Sequence, residues 1–562
     1  MPPQAQVSTA ANPVVKSASE VLAEAVMRHH AGCYAEAEQL YRAVLAVEPQ
    51  APDALHGLGL LAIQAGHFPD AVRLLETAIR LDSHQSTYYL NLGNALQLHG
   101  EPESAIHAYR QCLMLSPDSG TAHSNLGMAL LTLGRYEQAV QHLEIASELQ
   151  PASSQIQDNL GNALQAVGRP EEAVRHHRRA LQLTPCAASQ VPEMLGNLGL
   201  AFAAMGKWDE ATESFERSLH RNPQNARVQL ARAQLQLLLG EFESVLRNYE
   251  WRKQVQAPRS MPGRPWHGEA IQTGQTLILY DEQGLGDSIL ALRYLPWVQA
   301  RVSAGAHLVA EIQQPILRLA KMLPGELQWI APDEPIAAAD WHCSWMSLPL
   351  IFMESLGSPE RQTARQTTRR TAPAAAPFAV PYPFAPVPTP SPGDSSRQIR
   401  LRGKEASGSV WNIGIVWSGN KGHVRDQFRS IPPDLFSPLL DMPNCLFHSL
   451  QIEKLPLEFA DRVIDHSNVQ TDFADTAQLI QQLDLVISVD TSVAHLAGAL
   501  AAPIWLLLAF WPDWRWGLER QETPWYPTMH LFRQPQPGRW QEVIEAVRSA
   551  LLLLTLETEH LA

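Results

Sequence analysis

The sequence predicts a chain in two parts: an all-α superhelix of stacked helical hairpins, then an α/β region of two Rossmann-type lobes. Three observations predict it. Glycine recurs at Gly32, Gly66, Gly100, Gly134, Gly168, Gly206 and Gly240, at intervals of 34, 34, 34, 34, 38 and 34 residues. Beyond Trp251 that period stops, and short apolar runs alternate with helical patterns. A proline- and arginine-rich stretch then divides the second part in two. A period of this length marks a solenoid, because one hairpin cannot bury its apolar face alone and must stack on the next.

Composition sets the outer limits. The 562 residues suggest roughly three to four domains at about 150 residues each. With 45% hydrophobic and 18% charged residues, the chain can build buried cores and is not globally disordered. A formal net charge of -14 argues against a nucleic-acid partner, since phosphate recognition needs surplus Lys and Arg. Cys33, Cys112, Cys186, Cys343 and Cys445 lie far apart with no C-x-x-C. That excludes a zinc ribbon and a disulfide scaffold and fits a reducing compartment. The first twenty residues carry no apolar signal region. Runs such as Trp505–Trp511 and Leu551–Leu554 fall far short of the ~18–20 residues a membrane span requires. The expectation is a cytoplasmic protein without a membrane span.

Further markers keep the same period. Gly59, Gly93, Gly127, Gly161 and Gly199 form a second glycine series, and Ala37, Ala71, Ala105, Ala139, Ala173 and Ala211 follow it. Proline recurs at Pro49, Pro117, Pro151, Pro185 and Pro223. Small residues let two helices approach closely, glycine supplies the turn, and proline ends the second helix. These residues resemble the tetratricopeptide repeat over residues 17–254, as about seven repeats, behind a disordered tail at 1–16. The longer interval falls near Pro185–Pro192. The last unit carries Val245 for alanine and Ala233 for glycine, as a capping or docking repeat allows.

Asn91, Asn125, Asn159 and Asn197 recur two residues before the second-series glycine, with Asn94 and Asn162 as a second row. The period predicts a ladder of amides along the concave side, each able to donate to and accept from a peptide. The row is similar to the asparagine ladder of protein O-GlcNAc transferases, which implies a groove for an acceptor protein or peptide. The residues leave a second reading open, in which the amides bond across neighbouring helices.

The second part opens at residues 270–358 with the apolar run Thr276–Tyr280, a glycine turn, and a helical pattern from Ile289 to Ala300. Leu308–Ile312 and Leu327–Ile330 are further strands. Strand, glycine turn and helix open a Rossmann-like unit. Residues 359–409 hold eight prolines between Pro373 and Pro392, flanked by arginines, and read as an extended linker. Residues 410–555 alternate again. Strands are expected at Val410–Trp417, Cys445–Leu450, Leu485–Val489 and Ile504–Leu508. Helices are expected at Pro433–Leu440, Thr476–Gln482, Asp490–Leu500 and Trp540–Leu554. Two such lobes predict a cleft between them.

Four ordered motifs add a resemblance. Glu282-Gln283-Gly284-Leu285-Gly286-Asp287, Trp417-Ser418-Gly419-Asn420 through Arg429-Ser430, Asp490-Thr491-Ser492-Val493-Ala494-His495 with its continuation to Leu500, and Pro512-Asp513-Trp514-Arg515-Trp516 with Pro524-Trp525-Tyr526-Pro527 stand in order. Together they resemble family 9 glycosyltransferases, the heptosyltransferase-like group, in bacterial proteins that fuse this domain to such repeats. Lys421 stands where proline is usual. The resemblance implies a GT-B fold, with a nucleotide-sugar held mainly by the second lobe.

On that basis Asp490, Thr491 and Ser492 would face a diphosphate at a helix N-terminus, with His495 one turn further in. Asn420, Lys421, Arg425 and Arg429 would neutralise the leaving group, and Gly284 and Gly286 would line the donor. The resemblance makes Asp287 the general base that deprotonates the acceptor hydroxyl. For Asp490 and Asp287 the bland alternative is a helix N-cap. For His495 it is a packing histidine, and for the basic loop a solvated surface. No D-x-D metal signature occurs, so a metal-independent reaction is expected, with the nucleotide-sugar as co-substrate and no cofactor. The expected function is sugar transfer to a protein acceptor. A non-catalytic repeat scaffold with a degenerate transferase domain, or a glycolipid sugar transferase, is the alternative.

Overall fold

The computed structural model of the chain describes residues 16–255, 259–336, 338–356, 410–423 and 425–561. The expected tail, except Lys16, and the expected linker lie outside the described residues. The chain divides into two compact units between Ala201 and Phe202.

The first unit is built of helix pairs. Ala18–His30 pairs with Tyr34–Val47, Pro52–Gln64 with Phe68–Leu81, Ser86–His99 with Pro102–Leu115, Gly120–Thr132 with Tyr136–Leu149, and Ser154–Ala166 with Pro170–Leu183. Helix Val191–Ala204 opens the next pair and runs across the division. Starts and stops follow the sequence. Ser17 and Glu20 form a reciprocal capping box, and Ser119 and Ser153 accept the amides of Ala122 and Ile156. Gly100, at φ 88°, closes its helix in the left-handed region that an L side chain disfavours. Ala37, Ala71, Ala105, Ala139 and Ala173 are wholly buried where the paired helices meet. Gly93 shows why the second glycine series exists: an added Cβ would lie 2.4 Å from Cε1 of Tyr109.

The asparagine rows join repeat to repeat. Asn91 Nδ2 donates to His56 Nε2 at 2.8 Å, and Asn125 Nδ2 to Asn94 Oδ1 at 2.8 Å. Asn159 Nδ2 donates to Ser124 Oγ at 3.2 Å, and Asn197 Nδ2 to Asp158 Oδ2 at 3.0 Å. Asp158 also accepts from His177 Nδ1 at 2.7 Å, and His177 Nε2 then accepts from Gln165 at 2.8 Å. Asn159 and Asn197 are buried; Asn91, Asn94, Asn125 and Asn162 are half-buried. The reason is geometric. A position two residues before the close-contact glycine faces the preceding hairpin, so its amide meets a polar group one repeat away.

The second unit begins with helices Trp208–Arg221, Ala226–Leu238, Phe242–Tyr249 and Arg252–Val255. Two sheets follow. The first contains β1 (Arg264–Pro265), β2 (Thr276–Tyr280), β3 (His307–Glu311), β4 (Gln328–Ile330) and β5 (Trp341–Ser344), ordered β1-β5-β2-β3-β4 and parallel throughout. The second contains β6 (Trp411–Val416), β7 (Cys445–Ser449), β8 (Val463–Ile464), β9 (Leu485–Val489), β10 (Ile504–Leu508), β11 (Glu522–Thr523) and β12 (Tyr526–Arg533). Its order is β11-β12-β10-β9-β6-β7-β8, parallel except for the β11–β12 pair. From β6 the chain winds outward one way through β7 and β8, then returns to β9, β10 and β12. This is a doubly wound sheet whose direction switches between β6 and β9. Helical repeats followed by two such sheets make an all-α array with a two-lobed, GT-B-like α/β region.

Boundaries differ from the expectation where a local group decides them. The helix expected from Ile289 to Ala300 starts earlier, as Leu285–Ala291. It tightens to a 3₁₀ turn at Leu292–Tyr294 and resumes as Leu295–Gln299. Pro296 has no N–H to continue the ladder. The helix expected at Thr476–Gln482 is Phe473–Ile480, because Asp472 accepts the amides of Ala474 and Asp475. One apolar core runs through both sheets and the last helix pair, joining Leu237, Leu246 and Tyr249 to Leu277, Leu279, Val486, Leu506 and Tyr526. Among the described residues no helix is long and apolar enough to cross a membrane.

Asn197→Ala would leave one oxygen of the buried Asp158 carboxylate without its donor. The expected loss is about 1–3 kcal/mol of unfolding free energy, read from urea titration of the helical signal. An unchanged midpoint would mean that the amide bond contributes nothing to the stack.

Candidate functional site

In a doubly wound sheet, ligands favour the carboxyl ends of the strands at the switch point. The loops at that place are the one after β6, Trp417 to Arg429, and the one after β9, Asp490 to Ser492. The first loop is braced from within. Gln451, buried beyond β7, accepts the amides of Trp417 and Ser418, each at 3.0 Å. Gly419 N donates to Ser430 Oγ at 2.9 Å. Asp426 Oδ1 accepts from Ser430 Oγ at 3.0 Å and from Arg429 Nε at 3.2 Å. Arg429 therefore lies in a short helix, Asp426–Arg429, within the stretch expected as a basic loop. Ser430 is that helix's C-cap.

Arg425 reaches the loop after β10. It donates to Trp511 O at 2.5 Å and stacks 4.0 Å from the Trp511 ring centroid. Burial pulls its guanidinium down to about 10, a group still charged at neutral pH. Asn420 and Lys421 stand exposed at the tip, where Asn420 Oδ1 accepts the Gly422 amide at 2.9 Å.

After β9, Thr491 is the N-cap of helix Ser492–Ala499 and makes no side-chain capping bond. Its hydroxyl turns instead to Ser488 Oγ at 3.1 Å. The first amides of this helix thus lack a side-chain acceptor, beside half-exposed Thr491 and Ser492 hydroxyls. Such an end attracts an anion. Asp490 stands before the cap rather than in it. Burial, and then the neighbouring Asp513, push its carboxyl up to about 6.

Asp287 is not an N-cap either. Gly284 caps helix Leu285–Ala291, and Asp287 at the third position accepts the Gly284 amide at 3.1 Å. Its other oxygen is held by Arg515, which also grips Asp513 at 2.7 Å. The Arg515 side chain is 5% exposed and that of Asp287 21%. Burial raises the Asp287 carboxyl above the usual range despite the pull of Arg515. Burial opposes the Arg515 charge, but Asp287 and Asp513 outweigh it and hold the proton on more tightly.

The packing beside this pair assigns two expected donor residues another part. A Cβ on Gly286 would fall 2.7 Å from Cδ2 of His495, so the ring fills the space of the missing side chain. His495 is buried, its Nδ1 bonds the Tyr526 hydroxyl at 2.8 Å, and its ring lies 5.2 Å from that of Trp516. Burial first, and then Arg515, push it down to about 3, so the ring is neutral at physiological pH. Gly286 and His495 join two helices. Arg515, Asp513, Tyr526 and Gln451 were not expected as site residues. Asp513, Arg515 and Tyr526 fall within the motifs at 512–516 and 524–527, while Gln451 carries no local signal.

The site and the fold define a class: a repeat array joined to a two-lobed α/β transferase domain. Comparison with known proteins agrees in both parts. Tetratricopeptide repeats match residues 29–96, 86–119, 118–185 and 152–221. Glycosyltransferase family 9 (heptosyltransferase) matches residues 467–508, the stretch from before helix Phe473–Ile480 through β10. The match to that family thus lies within the second lobe of the α/β part.

Protein FlbA of Caulobacter vibrioides is similar at 25% identity over 352 residues, covering 58% of this chain and 55% of FlbA. Human tetratricopeptide repeat protein 7A is 34% identical over 74 residues, 13% of this chain and 9% of its own length. The chain thus spans about half of FlbA and a small part of the human protein. Among solved structures, MamA aligns at 24% identity with a TM-score of 0.27, over 28% of this chain and 93% of MamA. The Cut9–Hcn1 assembly aligns at 17% identity with a TM-score of 0.38, over 43% of this chain and 46% of that one.

Two measurements test the site. Thr491→Ala with Ser492→Ala should weaken nucleotide binding in calorimetry while the far-ultraviolet spectrum stays unchanged; equal affinity would remove these two side chains from the site. The second concerns pH. A carboxyl whose folded value is raised costs stability as pH climbs from its unfolded value, near ~4, through about 6, and the full cost applies above that. Asp490→Asn should therefore raise the melting temperature at pH 8 and leave it nearly unchanged at pH 4. A shift of the same size at both pH values would show that the charge is not responsible.

Proposed function

We propose that this chain transfers a sugar from a nucleotide-sugar to an acceptor hydroxyl, with the diphosphate at the N-terminus of helix Ser492–Ala499 and Asp287 as the base. The observation that carries the reading is that helix end, which lacks a side-chain cap, at the switch point of a doubly wound sheet. Arg425 and Arg429, the N-cap and the last residue of the adjacent short helix, lie within electrostatic reach of Asp490. In the reaction the acceptor O–H gives its proton to Asp287, and the oxygen attacks the anomeric carbon. The bond from that carbon to the diphosphate breaks, and the nucleoside diphosphate leaves with the electron pair. The helix amides and the Lys421, Arg425 and Arg429 cations stabilise the charge that grows on it. A raised carboxyl suits the base, because proton transfer is most efficient when its pKa approaches the working pH.

The repeats favour a protein as acceptor, since a glycolipid transferase has no need of a peptide-gripping solenoid. Asn159 and Asn197 do not supply the grip, because both are buried and each bonds the preceding repeat. The exposed faces of the repeats are left for that task. A scaffold with a silent transferase domain is favoured by one observation, the pairing of the Asp287 carboxylate with Arg515. Turnover of nucleotide-sugars by the purified chain separates the two. A thermal-shift screen of UDP-, GDP-, ADP- and CDP-sugars identifies the donor, because a ligand bound only to the folded state raises its stability.

Asp287→Asn keeps size and shape but removes the proton acceptor. It should lower turnover by roughly 10²–10⁴-fold with nucleotide-sugar affinity retained. Full activity in this variant would sink the base assignment.

A further inference from the structure

We infer that the last helical repeat is a working part of the transferase unit: Tyr249 and Arg252, at its end, hold the Glu282–Asp287 turn and thereby position the Asp287 carboxylate. The inference rests on the proposed role of Asp287 and adds to it the residues that place that side chain.

The geometry is specific. Arg252 is 1% exposed, and its guanidinium is divided among four partners. Nε donates to Glu282 Oε1 at 2.7 Å, and Nη1 to Glu250 Oε1 at 2.5 Å and to the Tyr249 carbonyl at 3.3 Å. Nη2 donates to Ser347 Oγ at 2.8 Å, and Ser347 Oγ in turn donates to Glu250 Oε2 at 2.9 Å. One arginine thus joins the end of the repeats, the turn after β2 and the 3₁₀ turn after β5. The next residue of the turn is held as well, because the Tyr249 hydroxyl donates to Gln283 Oε1 at 3.3 Å. The Tyr249 ring lies 5.6 Å from that of Trp514, beside Arg515, which takes the Asp287 carboxylate from the far side. The turn is therefore fixed by the repeat at the Glu282 and Gln283 side chains, by Gln313 at the Gln283 carbonyl at 2.7 Å, and by the second lobe at Asp287.

A lysine in place of Arg252 keeps the charge but offers no planar fork, so it cannot serve Glu282, Glu250 and Ser347 together. Displacing a reacting group by about 1 Å is enough to cost on the order of 10²-fold in rate. Tyr249→Phe is the gentler variant and removes one hydroxyl only.

The experiment uses the full-length chain. Hydrogen exchange of the amides from Gln283 to Ser288 is compared in wild type, Tyr249→Phe and Arg252→Lys, alongside kcat and KM for nucleotide-sugar turnover. The expected result is faster exchange confined to the turn in both variants. It should come with kcat lowered about 10²-fold in Arg252→Lys, less in Tyr249→Phe, and an unchanged KM. Wild-type exchange at the turn in both variants overturns the inference. So does wild-type kcat in both when Asp287→Asn is inactive. If Asp287→Asn keeps full activity, or the wild type shows no turnover, the proposed chemistry fails separately. The exchange measurement then decides alone whether the repeat holds the turn.

Discussion

The α/β unit depends on one buried cation. Arg515 comes from the loop after β10 and sits between two carboxylates, Asp513 from its own loop and Asp287 from the other lobe. A guanidinium withdrawn from water is tolerated only when it is paired and hydrogen-bonded, so its partners must come to it. Asp287 brings with it the helix Leu285–Ala291, which packs on Ser492–Ala499. That contact is close because Gly286 has no side chain and the His495 ring takes the space. The Tyr526 hydroxyl then fixes the ring. Removing the arginine would leave the Asp287 and Asp513 carboxylates without their shared cation, while the apolar core common to both sheets remained.

The same pairing gives the candidate site its mixed electrostatic character. Asp490 carries a carboxyl reluctant to ionise, while Asp513, a few residues from Arg515 and bonded to it, is held low despite its burial. Around them the helix end at Ser492 and the Arg425–Arg429 loop supply the positive potential that a diphosphate needs. This acid–cation arrangement lies at the carboxyl edge of the second sheet, where its winding changes direction.

Much of this was legible in the sequence because it is written locally. The glycine and alanine periods fix the helix pairs, and the strand–turn–helix runs fix β2, β6, β9 and β10 to within a residue or two. What escaped was written across distance. The asparagine row was visible as a period, but whether an amide meets a peptide or the next repeat depends on which way the hairpin leans. Arg515 and Asp287 stand more than two hundred residues apart, and Arg252 and Ser347 nearly one hundred, so no local pattern links them. Gly286 read as a ligand-facing glycine because a missing side chain looks the same from the sequence whether a phosphate or a histidine ring fills the gap. The starts that moved helix boundaries are decided by a single side chain each, Asp287 accepting the Gly284 amide and Asp472 the Ala474 amide.

The amide bonds of the repeat unit carry a consequence for its history. Asn91, Asn125, Asn159 and Asn197 reach partners 35, 31, 35 and 39 residues earlier, always one hairpin back and never further. Recombination that duplicates or deletes one whole hairpin preserves the spacing on which these bonds depend. A change of any other length strands a polar group against the wrong face. The array can therefore lengthen or shorten in whole steps, provided each new joint supplies a polar partner as His56, Asn94, Ser124 and Asp158 do. The lineage of such a chain would differ first in reach, and only later in the residues that hold it together.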